Sequence, residues 1–334
     1  MAAMRTIDWV DGEIRLIDQT RLPDELVVLR VADVDRLIEA IRVLAVRGAP
    51  ALGVAGAMGV ALAAARHPGD EARVITDATR LRASRPTAVN LARGVDRALA
   101  HLAAGPSAVL GAALAIRDEE IAASAAMAEL GADLVAELVP RVRVRAMTIC
   151  NTGALAAVEG GTALAVIAEL HRRGGLEEAI ALETRPLLQG ARLTAWELAE
   201  LGAPHRLIVD SAAASVLARG LADVVLIGAD RVTRNGDAAN KVGSLSLALA
   251  ARHAGVPFVV VAPESTLDPD TATGAEIEIE ERPAEEVTSF RGIRTSPAGT
   301  RALNPAFDVT PASLITALVT DRRVVRLDRG EPVA

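Results

Sequence analysis

Cysteine occurs once in this 334-residue chain and tyrosine not at all; phenylalanine and tryptophan contribute only three and two residues. A single thiol excludes an intrachain disulfide framework and a zinc site built from several thiolates. With aromatics at 1% of the chain, the core has to be assembled from Ala, Val, Leu and Ile. Histidine is scarce too. The five, at positions 67, 101, 171, 205 and 253, lie mostly beside Arg, Pro or Gly, and no pair has metal-ligand spacing. Neither a G-x-G-x-x-G turn, a Walker loop nor a G-x-S-x-G elbow is present. There is no excess of positive charge, because 36 Lys and Arg stand against 43 Asp and Glu, a net charge of -7. Nucleic-acid binding needs a basic field to neutralise phosphates, so no nucleic-acid partner is expected. A small phosphorylated ligand stays open, since one arginine and a few backbone amides suffice for one phosphate. Long hydrophobic runs are missing as well: Ala49 to Ala65 is rich in Ala and Gly, flanked by charge, and too short for a comfortable membrane span. Met1 to Asp18 carries charges where a secretory leader would be apolar, so a cytoplasmic protein with no membrane partner is expected.

What is present is a strongly patterned 51% hydrophobic chain. Two alternating runs, Arg5 to Val10 and Glu13 to Asp18, flank Asp11-Gly12 and predict a hairpin. After a short run near Leu26 to Arg30, apolar spacings of three and four predict helices over Ala32 to Leu44, Ala51 to Arg66, Asp70 to Arg82, Thr87 to Ala104 and Ala108 to Leu138. From Arg141 onward β-prone runs alternate with helical stretches. The strands expected are Arg143 to Ile149, Ala179 to Leu182, Arg206 to Val209, Asp223 to Ile227 and Pro257 to Val261. Glu264 to Thr300 reads as an irregular excursion, and Asn304 to Arg326 as a last helix and strand. The expected architecture is α/β: a smaller, mainly helical N-terminal domain with a short hairpin over residues 1–120, then a Rossmann-like, mostly parallel sheet domain over residues 121–334.

Four polar clusters fall at expected strand ends or turns. Arg47-Gly48-Ala49-Pro50 precedes the Ala-rich helix, where proline in the first turn and free amides make an anion cradle. Read alone, it is equally an ordinary helix start. Cys150 closes a β-prone run and is followed by the turn-forming Asn151-Thr152-Gly153, the part of an open α/β sheet where ligands bind. A lone cysteine is also often just a small buried hydrophobe. Glu183 to Gly190 concentrates polar groups after the next strand. Asp230 follows the apolar Val224 to Ile227, where a desolvated carboxyl could hold a proton near neutral pH; a helix cap or an Asp–Arg pair is the plainer alternative. Asn240 and Lys241 are expected to open the following helix. One thiol, one carboxylate and several anion-binding groups suit proton movement on a small phosphorylated metabolite.

Arg47 to Gly53 (RGAPALG), Arg85 to Asn90 (RPTAVN), Cys150 to Leu155 (CNTGAL), Glu183 to Leu198 (ETRPLLQGARLTAWEL), Gly228 to Arg231 (GADR) with Asn235-Gly236-Asp237, Asn240-Lys241, and Asn304 to Pro311 (NPAFDVTP) together resemble the signatures of methylthioribose-1-phosphate isomerases, in order and over essentially the whole chain. That family is related to ribose-1,5-bisphosphate isomerases and to the regulatory subunits of translation initiation factor 2B. The resemblance implies an aldose–ketose isomerase of methionine salvage, a homodimer that uses no metal and no organic cofactor. It implies Cys150 and Asp230 as catalytic residues, and Arg47, Gly48, Ala49, Arg85, Gln189, Asn240 and Lys241 as substrate contacts. With the anomeric carbon phosphorylated, the sugar cannot open unaided. Protonated Asp230 would assist opening, and Cys150 would move the C2 proton to C1 or stabilise charge during a hydride shift. The chain departs from the family pattern at Met58, Ile149, Gly160 and Ser244-Leu245, changes expected to reshape the pocket around the sugar 5-substituent. Isomerisation of 5-deoxyribose 1-phosphate fits the same residues. Ribose 1,5-bisphosphate would demand a second basic cluster, for which only Arg291 and Arg294 offer themselves. A non-catalytic regulatory subunit would not be expected to keep Cys150 and Asp230 together.

Overall fold

The computed structural model describes residues 5–86 and 88–333. Thr87, in the expected start of the fourth helix, lies outside the described residues, as does the beginning of the segment read for a leader. Asp11 and Gly12 both adopt positive φ, the geometry of a two-residue hairpin loop, and pair β1 (Ile7–Val10) with β2 (Glu13–Ile17). A third antiparallel strand, β3 (Val28–Val31), completes a small sheet. Helices α1 (Val34–Arg42), α2 (Ala49–Arg66), α3 (Glu71–Arg82) and α4 (Val89–Leu99) follow. Among the described residues only α2 is long and apolar enough to cross a membrane, and 83% of it is buried inside the fold. Its glycines explain how a helix can be enclosed so tightly. The backbones of α2 and α4 approach where Gly53 meets Gly94, and a methyl group on Gly94 would overlap the Gly53 carbonyl oxygen.

Gly105 and Pro106 start α5 (Pro106–Leu138), a helix of 33 residues. Val109, Ala113 and Ile116 on its first half join the N-terminal core, whereas Met127, Ala132 and Val135 on its second half join the sheet's core. The boundary expected at residue 120 falls inside this helix.

The large sheet contains β4 (Val144–Thr148), β5 (Leu176–Leu182), β6 (His205–Ile208), β7 (Val224–Ile227), β10 (Phe258–Val261), β15 (Ala317–Val319) and β16 (Val324–Val325), in the order β16-β15-β10-β7-β4-β5-β6. All pairings are parallel except β15–β16 at one edge. Helices α6 (Ala163–Arg172), α7 (Ala195–Glu200), α8 (Ala213–Ala218) and α9 (Ser244–Ala254) connect the strands. The sheet is Rossmann-like as expected, and every residue of β7 and β10 is buried, as two covered faces require. The chain enters at β4, moves outward to β5 and β6, then returns to the other flank of β4 as β7. Beyond the carboxyl ends of β4 and β7, connections therefore leave in opposite directions and a crevice opens.

Two expectations need correction. The segment from Asn304 to Arg326 holds no α-helix. Strand β14 (Phe307–Thr310) is followed by Pro311 and one 3-10 turn, Ala312–Leu314, because too few residues remain before β15. Asn240 and Lys241 do not open a helix but end β9 (Ala238–Lys241), and Gly243 at φ 104 separates them from α9. Strand β9 belongs to a second small sheet with β8 (Arg231–Thr233), β11 (Leu267–Asp268) and β14, in the order β11-β8-β9-β14.

Substituting Gly94→Ala should destabilise the chain by about 2 kcal/mol or more, because neither backbone can retreat from the added methyl. Denaturant unfolding of the two proteins measures the difference, and an alanine variant as stable as the parent would refute this close-packing account.

Candidate active site

Strand β4 ends at Thr148, and two residues later Cys150 adopts φ 64, a left-handed conformation that a non-glycine residue takes only when its surroundings hold it there. Two neighbours do so. The Cys150 amide donates to Thr184 Oγ1 at 2.8 Å, and the Cys150 carbonyl accepts from Thr194 Oγ1 at 2.6 Å. Thr184, itself at φ 65, is tied to Asp210, whose carboxylate accepts from the Thr184 and Arg185 amides at 2.8 and 2.7 Å. Cys150 is 8% exposed.

Asp230 leaves the neighbouring strand β7 through Gly228 and Ala229, and its amide donates to the Ala239 carbonyl at 2.9 Å. Gly228 is obligatory, because a side chain there would strike Thr152. Burial pushes the Asp230 carboxyl up from its ordinary value. Lys241, Arg85 and Arg47 pull it back only in part, and Glu280 adds to the rise. Lys241, at the end of β9, donates from Nζ to the Ala306 carbonyl at 2.6 Å and lies 4.5 Å from the Phe307 ring centre. Burial lowers the Lys241 ammonium, opposed by the charges of Cys150 and Asp230. Asn240 is held by a 2.9 Å bond from its Nδ2 to Ser244 Oγ.

The N-terminal elements supply the facing wall. Arg47, between α1 and α2, is buried, and its Nε donates to Gln19 Oε1 at 3.1 Å. Its Nη1 donates to the Asn151 carbonyl at 3.2 Å, and its Nη2 to Asn151 Oδ1. Burial lowers the Arg47 guanidinium, offset by Cys150, Glu197 and Asp230. Gly48 at φ 93 caps α2 and packs so closely on Ala156 that no Cβ fits. Arg85 lies 3.5 Å from Glu280, and its Nε is buried without an acceptor among the described residues.

Apart from Lys241, which lines neither, these groups converge on two adjoining chambers. Arg47, Gly48, Ala49, Cys150, Asp230 and Asn240 line one. Gly48, Ala49, Arg85 and Asp230 line the other, with Leu52, Val89, Ile277, Ile279 and Phe307 among its apolar residues. Gln189 stands apart from both chambers. Buried, with Oε1 unpartnered among the described residues, it lines a larger cavity that shares Arg47 and includes Gln19 and Arg192. The departures at Met58 and Ile149 also need correction as pocket-shaping residues, because both are fully enclosed in core clusters and line neither chamber. Ser244, by contrast, touches the site through Asn240.

Sequence reasoning passed over Glu197, although it lies within the Glu183 to Leu198 motif. It is buried on α7, its Oε2 accepts from Asn151 Nδ2 at 2.5 Å and its Oε1 from the Leu155 amide at 3.1 Å. Burial raises it, while Asn151, Leu155 and Arg47 pull it down. Thr184 and Thr194 lie in that same motif without having been singled out, and Gln19 was missed with nothing in its spacing to mark it.

A raised carboxyl is also a statement about stability. Below the ordinary carboxylate range Asp230 is protonated in folded and unfolded chains alike and makes no difference. As pH rises past that range the unfolded chain ionises while the folded one resists, so Asp230 destabilises the fold increasingly toward neutrality. Asp230→Asn should therefore raise the melting temperature at neutral pH by about 2 °C or more, a gain that fades as pH falls toward about 4. Thermal melts of both proteins across that range test the sign; a variant that melts lower at neutral pH would contradict it.

The model of the initiation factor 2 subunit family matches residues 45–326. A probable bifunctional methylthioribose-1-phosphate isomerase/methylthioribulose-1-phosphate dehydratase of Nocardia farcinica is 53% identical over 331 residues; the alignment takes in 96% of this chain and 60% of that protein. A 5-deoxyribose 1-phosphate isomerase of Moorella thermoacetica is 48% identical, with 96% of this chain and 93% of that protein covered. Among solved structures, the 5-methylthioribose 1-phosphate isomerase of Pyrococcus horikoshii superposes with a TM-score of 0.89 at 37% identity, covering 98% of this chain and 93% of that one. By sequence match over most of its length and by fold, the chain belongs to the initiation factor 2 subunit family.

Proposed function

We propose that this chain is an aldose–ketose isomerase converting 5-methylthioribose 1-phosphate to 5-methylthioribulose 1-phosphate, with Asp230 and Cys150 as its catalytic pair. The observation that carries the reading is the convergence of a buried, up-shifted carboxyl and the chain's one thiol on a single crevice, from the ends of two adjacent strands. The similarity to enzymes named for this reaction supports it. The phosphate on C1 blocks spontaneous opening of the ring, so an acid must protonate the ring oxygen as its bond to C1 breaks. Asp230 holds a proton for that step because its site is dry. Cys150, as thiolate, then takes the proton from C2, and the released electron pair forms a C1–C2 double bond. Return of that proton to C1, and of the 2-hydroxyl proton to Asp230, gives the ketose and restores both residues. Under a hydride shift, hydrogen passes from C2 to C1 with its electron pair, Asp230 recovers the 2-hydroxyl proton, and Cys150 only stabilises charge.

Arg47, Gly48, Ala49, Arg85, Asn240 and Lys241 are the proposed substrate contacts, with Gln189 reaching from the neighbouring cavity. The buried Arg85 Nε with no acceptor among the described residues, and the first turn of α2 opening on the same chamber, suit a phosphate. Three of the Arg47 nitrogens already donate within the protein, so Arg47 contributes at most a remaining N–H. The apolar residues around Arg85 suit an apolar 5-substituent, either methylthio or the bare methyl of a 5-deoxy sugar, and the Moorella relative makes the latter the second reading.

Phosphorus and proton NMR in deuterated water should show wild type converting 5-methylthioribose 1-phosphate to the ketose phosphate. Cys150→Ser and Asp230→Asn should each slow it by about a thousandfold. Deuterium appearing at C1 marks proton transfer through solvent-exchangeable Cys150. If wild type leaves this sugar untouched yet isomerises 5-deoxyribose 1-phosphate, the methylthio assignment is wrong and the second reading takes its place.

A further inference from the structure

Glu197 is a buried carboxyl that the proposed chemistry does not use, and its surroundings are specific. An arginine can only donate, so Asn151 must turn Oδ1 toward Arg47, which leaves Nδ2 needing an acceptor. Glu197 Oε2 supplies it at 2.5 Å, and Oε1 accepts from the Leu155 amide. Both carboxyl oxygens thus face donors, and the Asn151 amide stands as a relay between a buried guanidinium and a buried carboxyl. The chain's local course puts a second clamp on the same face. Gly190–Thr194 forms a π-turn leading into α7, so Thr194 and Glu197 lie three residues apart. Thr194 holds the Cys150 carbonyl while Glu197 holds the Asn151 side chain. Gly153 leaves room for the carboxylate, since a Cβ there would overlap both oxygens.

We propose that Glu197 is a positioning residue: acting through Asn151, it keeps the left-handed Cys150 turn and the Arg47 guanidinium in one arrangement facing Asp230. It touches no reacting atom. Its effect is on where the thiol sits, and a displacement of about an ångström at a reacting group is enough to cost about a hundredfold in rate.

This rests on the isomerase reading, so the test needs one readout that does not depend on turnover. Cys150 is the only thiol, and its alkylation by iodoacetamide, followed by mass spectrometry of the full chain, reports on the turn alone. In Glu197→Gln an amide replaces the anion at similar size, and one N–H then meets a donor. We expect kcat to fall about tenfold or more with KM changed less than about threefold, and alkylation to run about threefold faster or more, both measured well below the melting temperature. Asn151→Ala should behave alike, and the double variant should be little worse than either single one, because both break the same relay. A Glu197→Gln protein with kcat and alkylation within about twofold of wild type, whatever its melting temperature, would overturn the proposal, as would additive losses in the double variant. Should Glu197→Gln fail to fold, Glu197→Asp carries the test: the retracted carboxylate should lower kcat about threefold or more, and unchanged kcat and alkylation would again overturn it. A wild type inert on both sugars, with alkylation still responding to Glu197, would sink the isomerase reading and leave the positioning role standing.

Discussion

Water is largely kept out of the crevice where β4 and β7 part, and the character of the site follows from what that does to charge. Arg47, Lys241 and Glu197 are each less than a tenth exposed, and the half-buried Asp230 holds a desolvated carboxyl beside them. In such a place a charge is tolerated only with close partners, which is why each of these groups is so fully engaged. Arg47 donates to Gln19 and Asn151, Lys241 to the Ala306 carbonyl, and Glu197 accepts from Asn151 and Leu155. Asp230 is the exception, held by its backbone and left with a carboxyl that favours its proton. The same dryness that pushes the Asp230 carboxyl up therefore orders its neighbours.

Much of this was legible in the sequence, for reasons that differ along the chain. Strands β4 and β7 are short apolar runs ended by turn-forming residues, so the residues after them, Cys150 and Asp230, could be assigned to a ligand-binding edge before any coordinates. Asp11-Gly12 marks a turn whose φ values few other pairs supply. The small sheet around β9 was not legible. Its strands span two to four residues, and Asn235-Gly236-Asp237 reads as a loop leading to a helix until β14, distant in sequence, pairs with it. The groups that hold the Cys150 turn were equally hidden: Thr184 and Thr194 reach Cys150, and Glu197 reaches Asn151, only through the packing of α7 and the loop after β5 against the sheet. Local pattern reveals where a strand stops. It does not reveal which side chains arrive from elsewhere to hold its end.

The fold by itself says little about reaction, because a chain of the initiation factor 2 subunit family also superposes on a solved isomerase. The discrimination lies in a few side chains at the switch point. A thiol in a strained turn and a desolvated carboxyl have no evident use in a protein that only binds other proteins. Holding a non-glycine residue at positive φ and burying an acid both lower stability. Here both burdens fall within one crevice.

Helix α5 bears on how the molecule can be divided. At 33 residues it is about 50 Å long, and it gives one half of its apolar stripe to each core. Cutting the chain near residue 120 would strip a wall from both sides at once and leave two fragments with open hydrophobic surfaces. The two parts are thus not modules that evolution or an engineer could trade separately. They share one beam, and the crevice lies between two bodies that this beam ties together.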